Sequence, residues 1–135
     1  MLMKPIKYLL SILIVLCFQG CPGRYSEEPD MQFTIKNKSN EDIYFYANCE
    51  DSIINIKDLS KGYLIFLEKN NDYKIDFWIK LFQPNRKLNI FFLKKTILDA
   101  YSWQEIQEKN IFDRQYVLTL EELKSMNYEI IYDGK

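Results

Sequence analysis

The chain has 135 residues, 47% of them hydrophobic and 27% charged, with a formal net charge of −1 and no histidine. That length suits one small domain and is too short for two good cores. The balanced charge excludes the basic footprint of a nucleic-acid binder, and the lack of histidine excludes Ser-His-Asp and Cys-His dyads and every His-ligated metal site.

Lys4 and Lys7 form a positive n-region, and Tyr8 to Phe18 is an apolar run broken only by Ser11. The run fits a signal-peptide core of roughly 7–15 residues and falls short of the roughly 20 that span a bilayer. Gln19, Gly20 and Cys21 follow, and then a polar stretch. A small residue directly before a cysteine, just past an apolar run, resembles the lipobox of bacterial lipoproteins. Phe18 and Gln19 stand where lipoboxes usually carry Leu and then Ala or Ser, a looseness similar to that of Bacteroidetes lipoboxes. The resemblance implies removal of residues 1–20 as a signal peptide and acylation of Cys21, with the outer membrane as the expected site. Each buried acyl CH₂ is worth about 0.8 kcal/mol, so several chains anchor a protein firmly. Losing Lys4 and Lys7 from 18 basic residues against 19 acidic ones leaves the mature chain at −3. It then has no electrostatic attraction to a membrane, and the tether alone would hold it. Two other readings of this stretch are an uncleaved N-terminal anchor and an ordinary signal peptide cut near Gly20. Cys17 is the poorer lipidation candidate, because Leu16 before it is not small.

Residues 21–30 are the lipidated cysteine and a flexible polar linker with Gly23, Pro29 and three acids. Acids soon after a lipidated cysteine resemble Bacteroidetes surface-export signals, in which they usually sit closer to the cysteine than Glu27 and Glu28 do here. The periplasmic and surface faces of the membrane both stay open.

Residues 31–135 read as a single β-rich domain. Phe33 and Ile35 alternate with polar neighbours, and Asn37-Lys38-Ser39-Asn40 is a turn. In the second strand, 41–49, Ile43, Phe45, Ala47 and Cys49 alternate with Tyr44, Tyr46 and Asn48. Cys49 thus lies on an apolar face and is expected to act as a small buried hydrophobe. Short strands are expected over 52–56 and 63–67, and a long alternating one over 73–82, with Trp78 opposite its apolar face. Gln83-Pro84-Asn85-Arg86 has proline where a type I turn wants it. Leu88 to Leu93 is apolar at almost every position, so it reads as a strand buried on both faces.

Two helices follow. Ser102-Trp103-Gln104-Glu105 is a capping box with Tyr101 and Ile106 as a hydrophobic staple, and helix 103–109 is expected to end near Asn110. Thr119-Leu120-Glu121-Glu122 is a second box, with helix 120–126 ending near Asn127. Residues 114–118 and 128–132 read as strands. The expected fold is mainly β (α+β), a seven- to eight-stranded antiparallel β-sandwich with two short C-terminal helices.

The run NIFFLKKTILDAYSWQEIQEKNIFDRQYVLTLEELKSMNYEIIYDG, together with the opening IKNKSNEDIYFYANC, resembles small uncharacterised lipoproteins of Bacteroides and related Bacteroidetes. The resemblance covers most of 31–133. It implies location and architecture, and no mechanism.

The motifs of nucleotide, zinc-protease and serine-hydrolase chemistry are absent, and Ser102 reads as a cap. No cofactor or metal is expected. The suggestive feature is the aromatic content of 16%. Tyr44, Tyr46 and Trp78 stand opposite the apolar faces of their strands and are the candidates for an exposed ligand-binding platform, Trp78 first. The competing reading is that the C-terminal helices cover that face. Asp51-Ser52-Ile53 matches the Asp-Ser/Thr-aliphatic O-glycosylation pattern of Bacteroides secreted proteins, which makes Ser52 a candidate acceptor. The leading function is a non-catalytic binding or accessory module at the envelope, for a glycan, a peptide or an envelope protein. The alternatives are a structural subunit of a surface assembly and a hydrolase that uses carboxylates only. An open aromatic patch favours the first, a broad flat apolar surface the second, and a cleft with two facing carboxylates the third.

Overall fold

The computed structural model describes residues 28–135. Cys21, the leader and residues 22–27 of the linker lie outside the described residues. Seven strands form in chain order: β1 (Met31–Asn37), β2 (Ile43–Glu50), β3 (Ile65–Leu67), β4 (Asp72–Phe77), β5 (Lys87–Lys94), β6 (Arg114–Leu118) and β7 (Glu129–Tyr132). Among the described residues three short α-helices form: α1 (Lys95–Ala100), α2 (Trp103–Lys109) and α3 (Leu120–Ser125). The strands make two sheets, ordered β4-β1-β7 and β3-β2-β5-β6.

Period-two alternation builds the first of two apolar layers. Phe33 and Ile35 of β1 and Ile130 and Tyr132 of β7 face Ile43 and Phe45 of β2 and Leu88, Ile90 and Phe92 of β5. Phe92 is the hub. Its ring stacks on Tyr132 at 4.9 Å and meets Tyr116 edge-on at 6.0 Å. The second layer lies on the opposite face of β2 and β5, where Tyr46, Phe91 and Leu93 pack with Ile56, Leu59 and Ile106. β5 is therefore buried on both sides, as its nearly continuous apolar run requires.

Both capping boxes are formed. Ser102 Oγ accepts from the Glu105 N–H at 3.2 Å while Glu105 Oε2 accepts from the Ser102 N–H at 2.9 Å. Thr119 and Glu122 repeat the pattern at 3.2 and 2.8 Å. Asn110 ends α2 at φ 54° and Asn127 follows α3 at φ 54°, the left-handed region that asparagine tolerates. Asn37, fully buried, donates to the carbonyls of Glu41 and Leu67 and accepts from both the backbone and the hydroxyl of Ser39, so one amide closes the turn between β1 and β2.

Several expectations are corrected. The sandwich is not purely antiparallel, because β1 and β7 run parallel, with Ile35 opposite Ile130. The chain crosses between its first and last strands, so no hairpin forces them to oppose. Residues 52–56 are not a strand: after a bend at Ser52 the chain runs irregularly into a 3-10 turn at Ile56–Asp58. β5 pairs with β2 along its whole length, while β3 pairs only with Ile43–Phe45 on the other side. The strand over 63–67 shrinks to Ile65–Leu67 after a turn at Lys61–Tyr63. The long strand over 73–82 ends at Phe77. There the Asp30 carboxylate accepts from the Ile79 N–H at 2.9 Å, and the chain coils into a 3-10 turn at Ile79–Phe82. The peptide bond before Pro84 is cis, not the trans bond of the expected turn. A third helix, α1, was unexpected. Lys94 at its N-cap makes no side-chain capping bond, so it carries no box to read.

Candidate functional site: a cleft on the outer face of the larger sheet

The alternation of β2 turns Tyr44, Tyr46, Asn48 and Glu50 away from the inner core. Over much of this face, α2 and the segment 54–64 form the second apolar layer. At the C-terminal end of β2 a cleft of ≈ 520 Å³ remains, lined by Tyr46, Asn48 and Glu50 and by residues of 52–63, including Asp58 and Tyr63.

The cleft is organised around Glu50. Tyr46 Oη donates to its Oε1 at 2.8 Å and Asn48 Nδ2 donates to the same oxygen at 2.9 Å. Oε2 makes no hydrogen bond among the described residues, so it is open to an incoming donor. Burial, and then the hydrogen bond to Glu50, push the Tyr46 hydroxyl up to about 12. It therefore stays protonated and fixes the carboxylate as an acceptor. Tyr63 is 69% exposed and offers a ring at the cleft margin.

The segment that completes the cleft has no ladder of its own, so its backbone depends on side-chain amides. Asn89, fully buried on β5, accepts from the Ile54 N–H at 3.2 Å and donates to the carbonyls of Ser52 and Lys87. Gln115 on β6 donates to the Ile54 carbonyl at 3.0 Å. Gln107 on α2 donates to the carbonyls of Leu59, Lys57 and Ile56 at 3.0, 3.1 and 3.4 Å. The Arg86 Nε to Asp51 Oδ1 pair at 2.7 Å ties down the start of the segment. Sequence reading missed Asn89, Gln107 and Gln115. The one available signal was Asn89, a polar residue inside an otherwise apolar strand.

The expected aromatic platform does not form. Tyr46 is only 8% exposed, under the second apolar layer. Tyr44 is half-buried, with its ring 5.2 Å from Phe66. Trp78 is half-buried just past the end of β4, which belongs to the other sheet. Two sheets separate residues that strand alternation alone had grouped. Of the two C-terminal helices expected to cover this face, only α2 does so, through Ile106 and Trp103, whereas α3 packs Leu123 into the inner core. Of the three candidates only Tyr46 reaches the cleft, through its hydroxyl. Ser52 is exposed in a bend at the cleft, a setting that suits an acceptor of a glycan. Cys49 is half-buried against the inner core, and burial pushes its thiol up to about 11. Among the described residues no helix is long and apolar enough to cross a membrane.

No family model, curated protein or solved structure matches this chain.

Proposed function

We propose that this protein is a bacterial envelope lipoprotein, acylated at Cys21 and held at the outer membrane, whose domain is a non-catalytic binding module. The cleft carries this reading. A carboxylate oriented by Tyr46 and Asn48, with Asp58 nearby and an exposed Tyr63 ring, is matched to a hydroxyl-rich uncharged ligand such as a glycan. Hydroxyl groups donate to the fixed acceptors, and the apolar face of a sugar ring packs on the aromatic one. The acidic lining disfavours anionic ligands.

Binding of the full-length protein in detergent micelles to an array of neutral and anionic glycans tests this. Neutral glycans are expected to bind, with at least ten-fold weaker retention by Tyr63→Ala and by Glu50→Gln. Binding that survives both changes would place the ligand elsewhere. Cys21 is tested separately by metabolic labelling with a fatty-acid analogue, which should mark the wild type and not Cys21→Ala. A glycan on Ser52 would stand at the mouth of the same cleft, so Ser52→Ala is expected to leave ligand binding unchanged or strengthen it.

A further inference from the structure

We propose that two copies of this chain pair along β4, antiparallel and centred on Ile75, joining their three-stranded sheets into one of six strands. β4 is the longest of the four edge strands, at six residues, and Asp72, Tyr73, Lys74 and Asp76 are exposed along it. No strand borders its outer side among the described residues. An exposed edge of this length is a template for another strand unless something guards it.

The hydrogen-bond phase of the edge is set by β1. Phe33 stands opposite Ile75, and the Asn37 N–H donates to the Asn71 carbonyl at 3.0 Å. The alternation of an antiparallel ladder then directs the peptide groups of residues 71, 73, 75 and 77 toward β1 and those of 72, 74 and 76 outward. An added antiparallel strand must therefore bond to Asp72, Lys74 and Asp76.

Charge decides which strand fits. With Ile75 opposite its own copy, Lys74 of each chain stands opposite Asp76 of the other, and the outward peptide groups of both residues exchange bonds. The symmetry makes this ion pair twice. On the other face, Tyr73 stands opposite Phe77. Lys74 has no ion-pair partner among the described residues. Asp76 uses Oδ1 to accept from Gln32 at 2.9 Å, which leaves Oδ2 for the second chain. Competing registers fit worse. A shift by two residues along the partner, with Lys74 facing itself, brings Lys74 against Lys74 and Asp72 against Asp76. The shift the other way brings Asp76 against Asp76. The remaining one, with Tyr73 facing itself, opposes Lys74 to Asp72 but sets Ile75 against Asn71 in place of its own copy. Like charges directly opposed disfavour the first two registers, and the apolar Ile75 pair with Tyr73 against Phe77 favours the Ile75 register over the third.

Sedimentation equilibrium of the full chain in density-matched detergent micelles tests the pairing. The wild type is expected to dimerise reversibly. Lys74→Asp and Asp76→Lys each place like charges opposite one another twice and should weaken the dimer by about ten-fold or more. The double variant K74D/D76K restores opposite charges and should recover most of the affinity. Circular dichroism checks that each variant is folded, which both exposed positions permit. In parallel, Ile75→Cys should form a disulfide-linked dimer through its own copy under mild oxidation. A wild type that is monomeric at every concentration, including because the chain's own linker or another protein occupies the edge, overturns the proposal. So does a dimer that the double variant fails to restore.

Discussion

The two faces of the β2–β5 pair are organised on different principles. The inner face is closed by apolar side chains and rings from both sheets, with Phe92 stacked on Tyr132 and edge-on to Tyr116. The outer face is closed by α2 and by an irregular segment whose backbone is bonded to Asn89, Gln107 and Gln115. Apolar packing is non-directional and cooperative, so damage to it is felt by the whole domain. Hydrogen bonds from single amides are directional and local, so damage to them should release one segment and leave the sandwich standing. A ligand cleft fits on the second face because a segment held by few bonds can be shaped without changing the core.

The sharpest way to break the comparison is Phe92→Ala. It removes a fully buried ring from the centre of the inner layer and is expected to cost about 3–5 kcal/mol. Chemical denaturation should show one cooperative transition at lower denaturant for the entire domain. A local loss with the remainder unmoved would show that the inner layer is not the cooperative unit.

Asn89→Ala is the counterpart on the outer side. It leaves the Ile54 N–H without its acceptor and frees two carbonyls, with an expected cost of about 1–3 kcal/mol. Amide exchange at Ile54 should speed up while exchange in β1 and β7 changes no more than the global loss requires. Unchanged protection at Ile54 would mean that Gln115 and packing hold the segment unaided.

The helix caps come next in size. Ser102→Ala and Thr119→Ala should each cost about 0.5–2 kcal/mol, because each exposes an N–H at the first turn of a helix. The Ser102 change acts on α2, which carries Gln107, so it should also loosen residues 56–59. The Thr119 change acts on α3 and should not. Equal effects on the cleft would contradict the separation of the two layers.

The smallest effect at neutral pH belongs to the buried ionisable groups. The ordinary Tyr46 hydroxyl value near 10 rises to about 12, and the Cys49 thiol rises from 9 to about 11. In both cases the unfolded chain gives up its proton before the native state does. The stability these protonated groups contribute is therefore fully present below pH 9 and falls as pH rises from 9 to 12. Urea midpoints measured across that range should decline, and Tyr46→Phe should flatten the decline above pH 10. A variant curve parallel to the wild type would show that Tyr46 is not a source of the alkaline sensitivity.

Local signals carried much of the architecture. The capping boxes at Ser102 and Thr119 name their own partners within three residues, and both helices start where the boxes place them. The alternation in β1 and β2 and the apolar run of β5, interrupted only by Asn89, state which faces are buried, because side-chain direction in a strand has period two. The mainly-β class follows from these segments and the turns between them.

What the chain could not state locally is which outward face meets which cover. Tyr44, Tyr46 and Trp78 share a pattern in sequence, yet two sheets divide them, since strand order is set by long-range pairing and not by alternation. The parallel β1–β7 pair, the end of β4 at Phe77 and the irregular path of 52–64 have the same origin. Each depends on pairing or hydrogen bonding with residues distant in sequence: Ile130 for β1, Met31 for the end of β4, and Asn89 and Gln115 for the segment. The cleft was hidden for the same reason. Tyr46 and Glu50 lie four residues apart, but Asn89, Gln107 and Gln115 reach the segment across separations of 35 to 61 residues, and only tertiary folding brings amides that far apart onto one stretch of backbone.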